Sequence, residues 1–580
     1  MELTDAAPRP VAVCALALAL MAPAGCHSDA PARPEPPFVE RAAASGLRFV
    51  HFNGMTGEFY FAESVGPGGA LFDFDNDGDL DVYLVQGGML DDKPATAAIF
   101  PSVDGVAPRD RLFRNLWVDS GTLAFEDVTE RAGIPAGGYG MGVAAGDYDA
   151  DGWIDLYVTN FDANVMLRNR GDGTFADVTR VTGTQEPRWS TSAAFVDYDG
   201  DDNLDLFVAN YVDFTLANHR PCYDETSALD YCGPVTYQPY PDRLFRNRGN
   251  GTFEDVTASS QIARAYGAGL GVVASDLDED GRVDIYVAND GHPNQFWVNR
   301  GDGTFEDRAL VAGCAFNVDG RAEASMGVDA ADFDGDGDED LFMTHLTDET
   351  NTLYVNDGHG IFQDLTYESG LGASSRPYTG FGTAWIDYDN DGWLDLLIAN
   401  GAVKRIPELA RAGDPFPLGQ RNQLFRNLED GRFVERTQTA GAAFEPVEVG
   451  RGAAFGDVDN DGDTDVMIMN NSGPVRLLIN KVGNANHWLG LRLTDSTGRL
   501  DAIGAHVQVV REDGRTLERS VRVAASYCSS NDPRLRVGLG SAGGAAEVRV
   551  LWPDGLVEQW FALATDRYHE LRQGTGEAGQ

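Results

Sequence analysis

The chain has 580 residues, of which 43% are hydrophobic, and this is enough to bury a large core in more than one domain. It carries 91 acidic residues against 44 basic ones, for a formal net charge of −47 at pH 7. A surface of this charge repels polyanions, which excludes nucleic acid and an anionic membrane surface as partners.

The N-terminus predicts export. An apolar run over residues 11–24 follows Arg9, so we interpret residues 1–26 as a signal peptide. The run ends in Pro23-Ala-Gly-Cys26, which is similar to a bacterial lipobox whose cysteine is acylated. Since Pro23 stands where leucine is usual, lipidation of Cys26 stays open beside plain secretion. Residues 27–37 are rich in proline and predict a tether, so we expect a secreted or cell-envelope protein that contacts a membrane only through such an anchor.

One acidic nonapeptide organises the rest of the chain. Asp147-Tyr-Asp-Ala-Asp-Gly-Trp-Ile-Asp155 has carboxylates at positions 1, 3, 5 and 9 and glycine at position 6. The pattern occurs seven times, and we call the copies Asp loops 1 to 7. Their carboxylates are Asp73, Asp75, Asp77 and Asp81; Asp147, Asp149, Asp151 and Asp155; Asp197, Asp199, Asp201 and Asp205; Asp276, Asp278, Asp280 and Asp284; Asp332, Asp334, Asp336 and Asp340; Asp387, Asp389, Asp391 and Asp395; and Asp457, Asp459, Asp461 and Asp465.

Oxygen ligands at this density suit a hard cation, and Ca²⁺ takes about six to eight of them. The loops are not EF-hands, because position 12 is apolar instead of glutamate and lies in a β-type run. The alternative is a turn whose aspartates bond only to their own backbone. Four carboxylates at close range repel, however, and this favours up to seven Ca²⁺ sites. Loop 3 is the weakest, because Asp202 replaces the glycine at position 6.

Four short strands accompany each Asp loop, in a repeat of about 64 residues that is typical of a β-propeller blade. The third strand recurs seven times, but the fourth recurs only six times after the first loop. Phe38-Val-Glu-Arg41 resembles the missing fourth strand. We therefore predict an all-β fold in which residues 38–483 form a seven-bladed β-propeller closed by its N-terminal strand.

Three long connections, residues 87–111, 211–243 and 401–423, join second to third strands. They are expected on the face opposite the Asp loops, and we take the second, which is rich in aromatic residues, as the best candidate contact surface. Within it, Cys222 and Cys232 are candidates for a disulfide. Cys314 and Cys528 have no assigned partner. Residues 484–575 leave the repeat and predict a small C-terminal β-domain, followed by a tail at 576–580.

The repeats resemble the FG-GAP/VCBS propeller repeats of integrin α-chains. Residues 486–572 resemble an ASPIC/UnbV domain, through His487-Trp488, Ser526-Tyr527, Asn531-Asp532-Pro533-Arg534 and Trp552-Pro-Asp-Gly555. Together they resemble a bacterial relative of the cartilage acidic protein family. The resemblance implies extracellular, calcium-dependent binding or adhesion.

Three functions stay open. The first is a calcium-stabilised binding or adhesion module for an extracellular protein or glycan. The second is an enzyme, a polysaccharide lyase or hydrolase, which would need a cluster of arginine, lysine, tyrosine or histidine at the channel mouth. The third is a scaffold for a protein complex. The sequence contains no HExxH, GxSxG or Walker A motif, so we assign no catalytic residue and expect no enzyme.

Overall fold

The structure is a computed structural model that describes residues 36–579, apart from 101, 103–107, 136, 225, 500 and 542. The predicted signal peptide, Cys26 and most of the predicted tether lie outside the described residues. Where the chain is described, no helix is both long and apolar enough to cross a membrane.

Seven four-stranded antiparallel units make up most of the described chain, and we number them blades 1 to 7 by their Asp loops. The innermost strands are Gly69–Phe72, Gly140–Gly146, Ser190–Val196, Gly269–Ser275, Val328–Ala331, Gly380–Ile386 and Gly450–Gly456. The second strands are Asp81–Leu84, Asp155–Asn160, Asp205–Asn210, Asp284–Asn289, Asp340–Met343, Asp395–Asn400 and Asp465–Asn470. The third strands are Arg111–Asn115, Val165–Asn169, Arg243–Asn247, Gln295–Asn299, Thr352–Asn356, Gln423–Asn427 and Arg476–Asn480. The outermost strands are Phe125–Asp127, Phe175–Asp177, Phe253–Asp255, Phe305–Asp307, Phe362–Asp364, Phe433–Glu435 and, in blade 7, Phe38–Glu40.

The N-terminal strand closes the ring, as the sequence predicts. Phe38 pairs with Asn480 and Glu40 with Leu478 in an antiparallel register. At the centre, each innermost strand lies against those of the two flanking blades, and blade 7 contacts blade 1 in the same way. Closure therefore packs each blade between two neighbouring blades.

Short helical turns follow several outermost strands and lead the chain to the next blade. The α-helical segments are Trp117–Ser120, Thr129–Ala132, Thr179–Thr182, Ala309–Ala312, Leu371–Ser375 and Pro407–Arg411. The 3₁₀ segments are Phe61–Ser64, Ala95–Ala97, Leu216–Asn218, Pro234–Thr236, Ile262–Arg264, Thr437–Thr439, Ala442–Phe444 and Gly483–Ala485. A hairpin of Cys222–Tyr223 and Leu229–Asp230 lies in the second long connection, and Cys222 is bonded to Cys232 as predicted. Cys314 and Cys528 are buried free thiols.

The C-terminal residues form two further sheets around a core of their own, which includes Leu491, Val509 and Val548. The strands are His487–Thr494, His506–Arg511, Thr516–Ser520, Leu535–Gly540, Ala545–Leu551, Val557–Phe561, Tyr568–Arg572 and Glu577–Ala578. We call these sheets the C-terminal domain. Residues 36–580 as a whole form one compact unit, so the domain packs closely on the propeller.

A segment between these sheets enters the propeller. Residues 524–530, which we call the plug, contain the short strands Ala524–Ala525 and Ser529–Ser530 and add to the inner edge of blade 1, where Ser530 pairs with Ala70. Cys528 donates its backbone N–H to Ser192 in blade 3, and Ser526 donates its hydroxyl to the carbonyl of Ala453 in blade 7.

The plug contacts the innermost strands around the whole ring. Small residues make room for it. A Cβ on Gly142 would lie 2.9 Å from the Cα of Cys528, and one on Gly452 would lie 2.7 Å from the Oγ of Ser529. The plug thus fills the centre of the ring of innermost strands.

Candidate metal centres

Each Asp loop turns between the innermost and second strands of its blade, and its backbone shape explains the glycine at position 6. Gly152 has φ +90° and Gly462 has φ +95°, whereas Asp202 takes φ +64° in loop 3. A residue with a Cβ is strained in the left-handed region by roughly 1–2 kcal/mol. Loop 3 is not alone in this strain, because its glycine stands at position 4 as Gly200, φ +72°, where loop 2 has Ala150 at φ +57°.

Five loops bring three carboxylates together, with one oxygen from each within 4.8 Å of the others. Loops 1 to 4 do so through positions 1, 3 and 9, and loop 5 through Asp332, Asp334 and Asp336; two further groups of this kind exist among the described residues. The fourth aspartate of each predicted set lies outside these triads in loops 1 to 5. Clustered carboxylate oxygens are the ligands that a hard cation such as Ca²⁺ prefers.

The loop backbone orients the first aspartate. In loop 2, Asp147 accepts the backbone N–H of Asp151 at 3.2 Å and that of Gly152 at 2.6 Å. The same two bonds hold Asp73, Asp276, Asp387 and Asp457 in their loops. Position 1 is therefore held in place by the turn itself.

The aspartate at position 3 retains an open ligand atom. Its Oδ1 is buried and has no hydrogen-bond partner in six of the seven loops, at Asp75, Asp149, Asp278, Asp334, Asp389 and Asp459. A buried carboxylate oxygen without a donor costs about 1–3 kcal/mol or more. The donor set thus fits a bound cation, which would satisfy the same atom in loop after loop.

Burial and the neighbouring carboxylates both oppose ionisation of these groups. Burial, and then the charge of Asp391, raises the pKa of Asp387 to about 8. Burial likewise raises the pKa of Asp205 and of Asp284 to about 8. Without a metal, the folded loops would therefore hold protons at a pH where the unfolded chain is ionised.

This difference predicts how the metal-free protein responds to pH. Since the folded pKa values lie above the unfolded value of 3.8, the metal-free fold is most stable at low pH and loses stability as pH rises towards about 8. A bound cation replaces the protons. We expect the melting temperature in EGTA to fall between about pH 5 and pH 8, and the melting temperature in calcium to change much less. Parallel curves in circular-dichroism melts would contradict this.

Cations from the third strand neutralise part of the charge, which the sequence analysis missed. Arg114 pairs with Asp75 and Asp77, at 2.5 and 2.7 Å. The equivalent Arg168, Arg246 and Arg426 pair with positions 3 and 5 of loops 2, 3 and 6, and Lys481 does so in loop 7. Blades 4 and 5 have Val298 and Val355 at this strand position. In loop 4, however, Arg282 pairs with Asp280, so loop 5 depends most on a metal ion.

A ring of asparagines joins the loops of neighbouring blades, and it too was missed. Each third strand ends in asparagine, whose backbone N–H donates to the ninth-position aspartate of its own blade and whose Nδ2 donates to a loop carbonyl of the preceding blade. We call these residues the latch asparagines: Asn115, Asn169, Asn247, Asn299, Asn356, Asn427 and Asn480. The recurrence of asparagine at the end of every third strand was the sequence signal that could have indicated this role.

One latch can be tested directly. The side-chain amide of Asn299 donates to the carbonyls of Tyr198 and Val283, at 2.8 and 3.1 Å, and the residue is buried. We expect Asn299→Ala to lower the free energy of unfolding by about 1–3 kcal/mol, because the carbonyls of Tyr198 and Val283 lose a buried donor, although the backbone N–H that donates to Asp284 remains. The control is Asn250→Ala on an exposed hairpin. Equal urea midpoints for the two variants would contradict the role of the latch.

The C-terminal domain rests on the rim formed by the Asp loops. Arg534 donates to the side chain of Asn460 at 2.7 Å and to the carbonyl of Asp457 at 2.9 Å. Tyr568 donates its hydroxyl to Asp457 at 2.8 Å. These bonds attach the domain to loop 7. Because Asp457 is also a predicted metal ligand, metal binding and domain docking involve the same residue.

The comparisons agree with this architecture. The chain matches the FG-GAP-like repeat family at residues 73–158, 147–208, 231–287, 276–343, 332–398 and 407–488, and the ASPIC and UnbV family at residues 495–578. Cartilage acidic protein 1 of Homo sapiens is 28% identical over 320 residues, which are 54% of this chain and 45% of that protein. The protein of that name from Xenopus tropicalis is 28% identical over 297 residues, which are 50% and 43% of the two chains. The matched region is about half the length of these relatives.

Two lectins are among the solved structures that this chain resembles distantly. The BP39L lectin from Burkholderia pseudomallei is 12% identical, with a TM-score of 0.39 over 71% of this chain and 95% of that one. A lectin of Agrocybe aegerita that recognises non-reducing terminal N-acetylglucosamine is 15% identical, with a TM-score of 0.35 over 64% and 79% of the two chains. At these scores neither neighbour carries a functional argument.

Proposed function

Because the chain belongs to the FG-GAP-like repeat family and ends in an ASPIC and UnbV domain, we propose that it is an extracytoplasmic, calcium-stabilised binding module. The ions are structural: they neutralise the Asp loops and hold the rim rigid, so that a protein or glycan ligand meets a surface of fixed shape. The disulfide between Cys222 and Cys232 agrees with an oxidising compartment.

One observation carries the metal part of the proposal. The same buried oxygen at position 3 lacks a partner in six loops, and Ca²⁺ is the cation whose size and preference for oxygen suit such a cage. At free calcium of about 100 times the Kd, each filled site would add about 2.7 kcal/mol to the stability of the fold.

A binding role is favoured over catalysis. The channel of a propeller is where the alternative enzyme would place its reactive groups, but here the plug fills it, with Tyr527 and Cys528 buried. The proposed module therefore presents its outer faces and its domain junction to a ligand.

The test combines binding with catalysis. The calcium-loaded protein is applied to arrays of glycans and extracellular proteins, with EGTA-treated protein as the control, and bound polysaccharides are assayed for new reducing ends. We expect calcium-dependent binding without new reducing ends. New ends, or unsaturated products, would favour the lyase or hydrolase instead, and binding that persists unchanged in EGTA would contradict the role of calcium.

A further inference from the structure

A deep cleft lies where the C-terminal domain rests on the rim of blades 1 to 3. It has a volume of about 660 Å³ and is lined on one side by Asp loops 1 to 3 and on the other by strands of the C-terminal domain. This volume is within the range of sites that bind small ligands or short peptide segments. The predicted contact surface, the insertion at 211–243, contributes nothing to its lining.

The lining is strongly acidic. Ten carboxylates face two arginines, and both arginines are already paired within it. Arg492 lies 2.9 Å from Asp501, and Arg534 lies 2.9 Å from Asp532. Calcium would not reverse this sign, because each Asp loop contributes four carboxylates and would gain only two positive charges. The cleft therefore repels anionic ligands and concentrates cations.

An unsatisfied acceptor and apolar walls indicate which class of cationic ligand fits the cleft. Asp79 lies in the wall of the cleft, is fully buried, and accepts the N–H of Val118 with one oxygen, while its other oxygen has no partner. It is not one of the four ligand positions of loop 1. Leu80, Ile503 and Trp552 line the same space. An ammonium group on an aliphatic stem matches this pairing of carboxylates with apolar surface.

We propose that this cleft binds ligands that carry primary ammonium groups on aliphatic chains, either lysine side chains of a peptide or a free polyamine. The inference rests on the proposed function, because calcium in loops 1 to 3 would hold one wall of the cleft in place. Asp79 at the wall and Glu570, an exposed carboxylate on the opposite side, are each proposed to accept an ammonium group, with the stem packed on Trp552.

The experiment is a calorimetric titration of the calcium-loaded full chain with two probes, spermidine and acetyl-Gly-Lys-Gly-Lys-amide. The peptide with norleucine in place of lysine is the neutral control. We expect the ammonium probes to bind with an affinity that falls with added salt, and the norleucine peptide to show no binding. Binding of both probes supports ammonium recognition from either source, and binding of one identifies the source.

Matched variants test the location. Asp79→Asn and Glu570→Gln are each expected to weaken binding by about tenfold or more, because each removes a charge-assisted hydrogen bond. Asp338→Asn is the control, since Asp338 occupies the position of Asp79 in Asp loop 5, away from the cleft. An equal loss in all three variants would show nonspecific charge attraction and would overturn the proposal, as would no binding of either probe by the unsubstituted chain.

A calcium titration on each sample separates the two proposals. If the chain binds calcium in its loops but neither ammonium probe, the cleft inference alone fails. If it binds no calcium, the proposed function fails first. Asp79→Asn is expected to keep the calcium stoichiometry of the unsubstituted chain, because Asp79 lies outside the predicted ligand set.

Discussion

Chelation of calcium with EGTA is expected to lower the melting temperature at neutral pH by more than about 10 °C. The expected shift is large because several Asp loops contribute to it. In Asp loops 1 to 5, one oxygen from each of three carboxylates lies within 4.8 Å of the others, and burial raises the pKa of several loop aspartates. Removing the ions leaves this repulsion and the unpaired position-3 oxygens uncompensated.

Thermal melts in calcium, in EGTA and after calcium is restored measure this directly. Magnesium is the matched control, because Mg²⁺ demands a tighter octahedral site and is expected to restore only part of the lost stability. The variant pair Asp334→Asn and Asp149→Asn compares a loop without a counter-charge with a loop that has one, since blade 5 has Val355 at the strand position where blade 2 has Arg168. A melting temperature that is the same in EGTA as in calcium would contradict a stabilising role of the ions.

Replacement of Tyr527 by alanine is expected to cost about 3–5 kcal/mol of stability, the second large effect. Its side chain is fully buried in the channel, and its hydroxyl donates to the carbonyl of Val65 at 3.0 Å. The ring meets that of Phe381 edge-on, with centroids 4.9 Å apart. Its loss would leave a cavity in the cluster that joins the plug to the ring, and a carbonyl without its donor.

Tyr223→Ala is the control for this prediction, because Tyr223 is 63% exposed. Urea unfolding followed by tryptophan fluorescence would give both free energies. A loss of less than about 1 kcal/mol for Tyr527→Ala would mean that the plug merely occupies the channel and does not hold the ring together.

The repeat could be predicted from the sequence because it is local. Position 9 of each Asp loop begins the second strand, so the nonapeptide predicts both the turn and the strand that follows. The closing strand was predictable for the same reason: Phe38 begins a segment like the one that begins at Phe125, and both are outermost strands.

The latch asparagines and the strand-three arginines also recur, but a recurring residue does not show what it touches. Asn169 reaches Phe74 across 95 positions of sequence, and no local pattern reports such a partner. Repetition at one strand position indicated a shared role, and only the packing of neighbouring blades defines that role as a link between Asp loops.

The plug was beyond sequence reasoning for a different reason. Its strands are two residues long, and its partners, such as Ser192 and Ala453, lie in distant blades. Short segments of small polar residues have neither the helical nor the strand period. The cleft could not be predicted from the sequence either, because Asp79 and Glu570 line one cavity only when the C-terminal domain rests on the rim.

The most direct test of the central claim is a crystal structure of the calcium-loaded protein, with anomalous diffraction recorded at a long wavelength. We predict a calcium peak within each Asp loop, coordinated by the carboxylates of that loop and with the oxygen at position 3 among its ligands. Loops without peaks in crystals grown in saturating calcium would contradict the claim that divalent ions stabilise this propeller.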